Sequence, residues 1–173
     1  METKKLFWLI AKHTVYALLL LLLFFLQEAP AFTLFGARAI PVIGLFIAVS
    51  MLENEFAGGL YGLAAGLLCD SASIQIFGVA SMLFLVMGCA AGLLSMYLVN
   101  ARPRSAVLLT AAAAAVYGLV CHYILYGVWG YAGAARLLLT HTLPTVLLTA
   151  AWGFALFFLV RSIRDAVQAR IGG

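Results

Sequence analysis

Asp70 is the residue of this sequence that most suggests a functional role, because it ends a regular stripe of glycines. Gly58, Gly62, Gly66 and Asp70 recur at every fourth position, and residues four apart lie one above the other on a helix. The carboxylate could hold a neighbouring helix or loop, stay solvated, or handle a cation or a proton. Because the helix dipole disfavours negative charge at a helix C-terminus, we expect a partner that offsets this charge.

Several other polar side chains could converge on a ligand pocket, and these are Gln75, His122, Tyr123, Tyr126 and His141. His122 and His141 fall in predicted membrane spans, where a titratable group is a candidate functional residue. A neutral imidazole can also pack inside a bundle through a hydrogen bond. The other aspartate, Asp165, lies in the C-terminal tail, so the paired carboxylates of an intramembrane protease or an ion pump are not predicted.

Enzyme motifs do not occur in this sequence. It has no Gly-x-Ser-x-Gly elbow, no His-Glu-x-x-His, no Walker loop and no dinucleotide fingerprint. The three cysteines, Cys69, Cys89 and Cys121, have neither Cys-x-x-Cys nor Cys/His ligand spacing, so they predict no zinc site and no disulfide framework. We therefore expect no enzymatic activity, no metal and no cofactor.

The composition places the chain in a membrane. Hydrophobic residues make up 66% of its 173 positions and charged residues only 9%, with a mean hydropathy of +1.13, and a water-soluble domain of this size could not bury so much apolar surface. Because a span needs about 20 apolar residues, we predict one all-α integral membrane domain over 1–173. Its six spans are 6–26, 40–52, 56–69, 76–99, 105–129 and 137–160, followed by a basic cytoplasmic tail, 161–173, that forms a short interfacial helix.

The glycine stripe predicts how these helices pack. An interior glycine costs a helix about 1 kcal/mol against alanine, and in lipid the compensation is close backbone approach at small residues. We therefore predict that segment 56–69 is the hub of the bundle and packs on Gly88 and Gly92 of segment 76–99. Segments 40–52 and 56–69 are short, so they either span fully or form a re-entrant hairpin.

The basic residues indicate orientation and not nucleic-acid binding. Eight of the ten flank the same side of the predicted spans, namely Lys4, Lys5, Lys12, Arg102, Arg104, Arg161, Arg164 and Arg170. The positive-inside rule then places both termini in the cytoplasm. Lys12 is expected to reach the headgroups along its own methylenes. Glu53 and Glu55 are expected to form a solvated turn at the same side, and an acidic cytoplasmic turn could also meet a basic partner.

The glycine stripe ending at Asp70, the following turn with Phe77 and Gly78, and the glycines from Gly88 to Gly92 resemble the MreD family, small integral membrane proteins of the bacterial rod shape-determining system. The resemblance implies a multi-pass protein of the cytoplasmic (inner) membrane and a non-enzymatic role in cell elongation. The implied partners are MreC, MreB and the peptidoglycan polymerase and transpeptidase pair. It also implies a six-helix bundle similar to the substrate-binding subunits of energy-coupling-factor transporters.

Two other functions remain open from the sequence. The same architecture could make the chain a substrate-binding membrane subunit of a transporter for a vitamin-sized molecule. Its ligand would be held by Asp70 together with the polar side chains of the candidate pocket. A general membrane assembly factor without a defined ligand is the third alternative.

Overall fold

The computed structural model describes residues 2–29, 33–34, 37–73, 77–98, 101–124 and 142–171. The described elements, in chain order, are α1 (Glu2–Glu28), β1 (Thr33–Leu34), β2 (Ala37–Arg38), α2 (Pro41–Leu52), α3 (Glu55–Ala72), α4 (Val79–Tyr97), α5 (Pro103–His122) and α6 (Leu143–Ile171). The two strands form a short antiparallel hairpin, and everything else of regular structure is helical. The predicted all-α class is confirmed.

Helix α2 is the centre of the bundle. Each of its 12 residues is buried, and it contacts α1, α3, α4, α5 and α6. A helix that is apolar on all sides is expected to be buried on all sides. Pro41 suits its first turn, because the N–H that proline lacks would have no hydrogen-bond partner within the helix at that position. The prediction that the glycine segment is the hub is therefore wrong.

Helix α3 lies against this centre and buries only one face, which carries Gly58, Gly59, Gly62, Ala65, Gly66, Cys69 and Asp70. Its first turn is capped by Asn54, whose side-chain oxygen accepts a hydrogen bond from the Ala57 N–H at 2.7 Å. The opposite face carries exposed apolar residues such as Phe56 and Leu60. The glycine face is therefore the inner face of α3.

In the part of the chain that the structure describes, four helices are long and apolar enough to cross a membrane, within Leu6–Glu28, Val79–Tyr97, Pro103–His122 and Leu143–Arg170. Helix α2 is a shorter apolar helix; at about 1.5 Å per residue its length is about 18 Å, against about 30 Å for a hydrocarbon core. These features describe a multi-pass membrane protein whose shortest helix is enclosed by the others.

Some helix ends differ from the predicted ones. Segment 137–160 and the tail do not separate, because α6 continues from Leu143 to Ile171. No proline or glycine interrupts 154–171, and Arg161 pairs with Asp165 one turn later at 3.7 Å. The predicted span 76–99 also begins later than expected: residues 77–78 form a turn, and α4 starts at Val79. Positions 125–129 and 137–141 lie outside the described residues.

Candidate functional site

The glycines predicted as a packing surface lie between α3 and α4, and they are Gly58, Gly62, Gly66, Gly88 and Gly92. A Cβ atom at Gly62 would collide with the carbonyl group of Phe84, and one at Gly66 would collide with the backbone of Ser81. Backbone therefore touches backbone along this interface, which is the contact that stabilises helix pairs in lipid. Leucine at either position would require the two helices to move apart.

The same interface is joined to the central helix through Ser50. The Ser50 hydroxyl of α2 donates a hydrogen bond to the Gly88 carbonyl of α4 at 2.5 Å. A Cβ atom at Gly58 would collide with the Ser50 side chain, and one at Gly92 would collide with the Cα atom of Glu55. Helices α2, α3 and α4 thus meet at a point where only small residues fit.

Asp70 caps the N-terminus of α4. Its Oδ2 accepts hydrogen bonds from the Gly78 N–H at 3.0 Å, the Ser81 N–H at 3.0 Å and the Ser81 hydroxyl at 2.5 Å. Its Oδ1 accepts one from the Ala80 N–H at 3.1 Å. These are N–H groups of the first turn of α4, which have no partner within the helix. The carboxylate therefore does the work of an N-cap side chain from a different helix.

This arrangement explains how a buried negative charge is tolerated at the end of α3. Asp70 is only 4% exposed. The positive N-terminal end of α4 offsets the unfavourable interaction of its carboxylate with the negative C-terminal end of α3. The chain turns into α4 through Gly78, whose φ of 99° is a left-handed conformation that favours glycine. The four accepted hydrogen bonds favour the inter-helix role over ion or proton handling.

A second polar cluster lies at the opposite end of α3, beside the middle of α1. Lys12 pairs with Glu53 at 2.6 Å, and their side chains are 9% and 14% exposed. The Tyr16 hydroxyl donates to the other Glu53 oxygen at 3.1 Å, and Arg164 of α6 donates to the Leu52 carbonyl at 2.7 Å. The predictions of a headgroup-seeking Lys12 and a solvated Glu53 are wrong, because each side chain satisfies the other inside the bundle.

The predicted pocket residues are only partly within the described chain. His122 ends α5 and is half-buried, and Tyr123 follows it with 68% of its surface exposed. The remaining three, Gln75, Tyr126 and His141, lie outside the described residues. Within the described ranges, no group of three or more histidine, cysteine, aspartate or glutamate side chains could hold a metal ion.

Gln27 is a buried polar residue that the sequence analysis did not select. It follows the predicted span 6–26, but it lies in the last turn of α1 and is 5% exposed. Its amide nitrogen donates to the Cys69 sulfur at 3.5 Å. A single glutamine after a long apolar run gives no sequence signal of burial, because the ends of membrane spans usually carry polar residues that are solvated.

Comparison with known proteins identifies a family for this chain. The family model described as rod shape-determining protein MreD matches residues 9–165 of the 173, whereas no curated protein and no solved structure matches the chain. The matched range includes the α3–α4 interface, Asp70 and the central helix. It favours shape determination over the transporter alternative, and the chain belongs to the MreD family of rod shape-determining proteins.

Proposed function

We propose that this chain is a non-enzymatic membrane scaffold of the bacterial elongation machinery, which binds MreC and helps to control lateral peptidoglycan synthesis. The observation that carries the proposal is the family match over residues 9–165, because that family acts in rod shape determination. MreB and the peptidoglycan polymerase and transpeptidase pair are its direct or indirect partners. The chain works by presenting a fixed membrane surface to these proteins.

The hydrogen bonds and the ion pair made by its ionisable side chains support a scaffold role. Asp70 accepts four hydrogen bonds from the start of α4, and Lys12 is paired with Glu53. Groups engaged in this way stabilise one arrangement of helices and do not exchange protons or bind substrate readily. A rigid bundle suits a protein that positions partners.

The orientation that we propose follows the positive charges. Helix α1 begins and α6 ends at the same end of the bundle, where Arg170 lies over the Trp8 ring at 4.9 Å. Eight of the ten basic residues flank this end in the predicted topology, so it faces the cytoplasm of the inner membrane, with six spans. The Asp70 end, with Arg38, then faces the periplasm.

The MreC-binding surface that we propose is a groove between α4 and α5. The glycine faces of α3 and α4 are already occupied by one another, so they offer a partner helix no room. Buried Ile47 of α2 forms the groove floor, and its walls are apolar and rich in alanine: Met87, Ala90, Leu94, Leu109, Ala112 and Val116. Small residues allow a helix to approach closely in lipid, so this groove suits the membrane helix of MreC.

Co-purification of MreC in mild detergent tests the groove. Ala112→Leu fills it, and we expect at least an approximately fivefold loss of bound MreC, or about 1 kcal/mol. The control is Val86→Phe, which enlarges an exposed α4 residue outside the groove and should leave MreC binding unchanged. Equal MreC recovery with both variants, at equal accumulation of the chain, would rule out this surface.

Depletion tests the function itself. In a rod-shaped bacterium that carries this gene, loss of the protein should make the cells round, and the wild-type gene should restore rods. Normal rods that fail to take up one vitamin would instead support the transporter alternative and overturn the proposal.

A further inference from the structure

The groove between α4 and α5 differs between its ends and its middle. Large side chains line both ends, and they are Leu94 and Leu109 next to the α4–α5 connection and Met87 and Val116 away from it. The walls between these ends consist of four alanines, Ala90, Ala91, Ala112 and Ala113. Because alanine has so small a side chain, these four residues leave a hollow in the middle of the groove, the alanine hollow.

The alanine hollow has a closed floor and a limited size. Ile47 of the central helix α2 lies beneath it and is 1% exposed, and Ala91 and Ala113 are buried at its base. The open space is about 160 Å³, or roughly five water molecules at about 30 Å³ each. This is the space of one large apolar side chain, such as that of leucine, methionine or phenylalanine.

The chemistry of the hollow selects an apolar occupant. No polar side chain occurs among the described residues that line it, and both α4 and α5 are apolar enough to cross a membrane. A polar group placed here would lose its hydration without gaining a hydrogen bond from these side chains. The occupant is therefore a hydrocarbon group within the membrane, which belongs to a lipid chain or to a side chain of another membrane helix.

The shape of the groove favours a side chain over a lipid chain. A lipid chain is long and unbranched, so it fits best in a furrow that is open along its length. Here large residues stand at both ends, and Met87 and Leu94 are about 10 Å apart along α4. A helix that packs across the groove can instead place one side chain in the hollow, as a knob enters a hole in a coiled coil.

We propose that the α4–α5 groove recognises the membrane helix of MreC by one large apolar side chain, which enters the alanine hollow. The residues about one turn, or about 5 Å, before and after it on the same face are small, because they meet the large residues at the two ends of the groove. Small residues there allow close approach. This inference rests on the proposed function and adds the side chain by which the partner is recognised.

Alanine substitution along the MreC helix tests for this side chain. Each large apolar residue of the helix is replaced in turn by alanine, and recovery of MreC with the unchanged chain is measured in mild detergent. We expect one substitution to lower recovery about fivefold, or about 1 kcal/mol, because it leaves the hollow empty. The other substitutions should change recovery by less than about twofold. Small changes at every position would overturn the proposal.

A combination with Ala112→Leu gives the sharper test. Ala112 is exposed, so a leucine can be accommodated there, and its side chain occupies the hollow. Ala112→Leu and the alanine variant of MreC should each lower recovery about fivefold, but together they should restore it to within about twofold of the unchanged pair, because one side chain replaces the other. Independent effects would instead multiply to about 25-fold, and that result would overturn the proposal.

Ala64→Leu is the matched control, because it makes the same change at an exposed residue of α3. It should leave recovery of MreC unchanged, and it should not restore recovery of the alanine variant of MreC. If Ala112→Leu does not accumulate, Ala90→Leu fills the hollow from the α4 wall and replaces it in the combination. The alanine series in MreC uses the unchanged chain, so it remains decisive in either case.

The same preparations separate this inference from the proposed function. If the unchanged chain recovers MreC but no single large side chain is required, the recognition inference fails and the proposed function stands. If the unchanged chain does not recover MreC, the proposed function fails and this inference fails with it.

Discussion

Replacing Asp70 should destabilise the bundle by an amount that depends on how many of its four hydrogen bonds survive. Asp70→Ala removes all four, and at about 1 kcal/mol for each net hydrogen bond the expected loss is about 4 kcal/mol. This exceeds the 0.5–2 kcal/mol that is typical for loss of an ordinary N-cap, since three N–H groups and a hydroxyl lose their acceptor in a largely buried place. It is a large part of the roughly 5–15 kcal/mol that stabilises a typical domain.

Asp70→Asn separates the hydrogen bonds from the charge. Its oxygen can replace Oδ2, which accepts from Gly78 and Ser81, but its NH2 group would then face the Ala80 N–H, which is also a donor. We therefore expect a loss of about 1–2 kcal/mol, from one hydrogen bond and the weaker interaction with the α4 dipole. The expected order of stability is wild type, Asn, Ala.

The assay is reversible unfolding in mixed micelles with increasing sodium dodecyl sulfate, followed by circular dichroism. Ser71→Ala is the matched control, since Ser71 is exposed and its hydroxyl donates to the Leu68 carbonyl within the same helix; it should change stability by less than about 0.5 kcal/mol. The reasoning is refuted if Asp70→Ala is as stable as the wild type, or if Asp70→Asn is less stable than Asp70→Ala.

Two other interfaces give predictions of the same kind. Gly62→Leu or Gly66→Leu should lower accumulation of the folded chain and its unfolding midpoint far more than Leu63→Phe, because even a Cβ atom at either glycine would collide with the α4 backbone; similar midpoints for all three variants would contradict backbone contact. Lys12→Met should cost roughly 3 kcal/mol by leaving the Glu53 carboxylate without its partner, and adding Glu53→Gln should recover most of it in the same unfolding assay. A double variant no more stable than Lys12→Met would show that the pair is not coupled.

The sequence predicted the helical class and the residues of the α3–α4 contact more readily than the centre of the bundle. The glycine stripe is a conspicuous pattern, and it favoured α3 as the central helix. The signal for α2 was its apolar character on all sides, which indicates complete burial. Its length of 12 residues indicated a helix too short to span the membrane. Length alone, however, does not reveal that five other helices contact it.

The partner of Asp70 depends on a turn that sequence spacing does not reveal. An N-cap residue normally precedes its own helix directly, whereas Asp70 lies eight residues before Gly78 and belongs to the previous helix. The need for an offsetting group followed from the helix dipole. Its identity required the position of the α4 N-terminus in space.

The Lys12 and Glu53 pair shows a second limit of sequence reasoning. These residues are 41 positions apart, and each one by itself is typical of the solvated end of a span. Similarly, Arg161 marks where the apolar run of α6 ends, but not where the helix ends, because charged residues continue a helix as well as apolar ones do. Hydropathy locates membrane boundaries, and helix boundaries need not coincide with them.

The complete enclosure of α2 has a consequence for biogenesis. This helix leaves the ribosome about 100 residues before α6, yet α6 supplies one of its closest neighbours: Gly44 lies against Gly153, and the Ile40 N–H donates to the Thr149 hydroxyl. A nascent chain that has emerged only as far as α3 has no means of surrounding so short a helix. The final packing of α2 therefore requires synthesis of the C-terminal half of the chain.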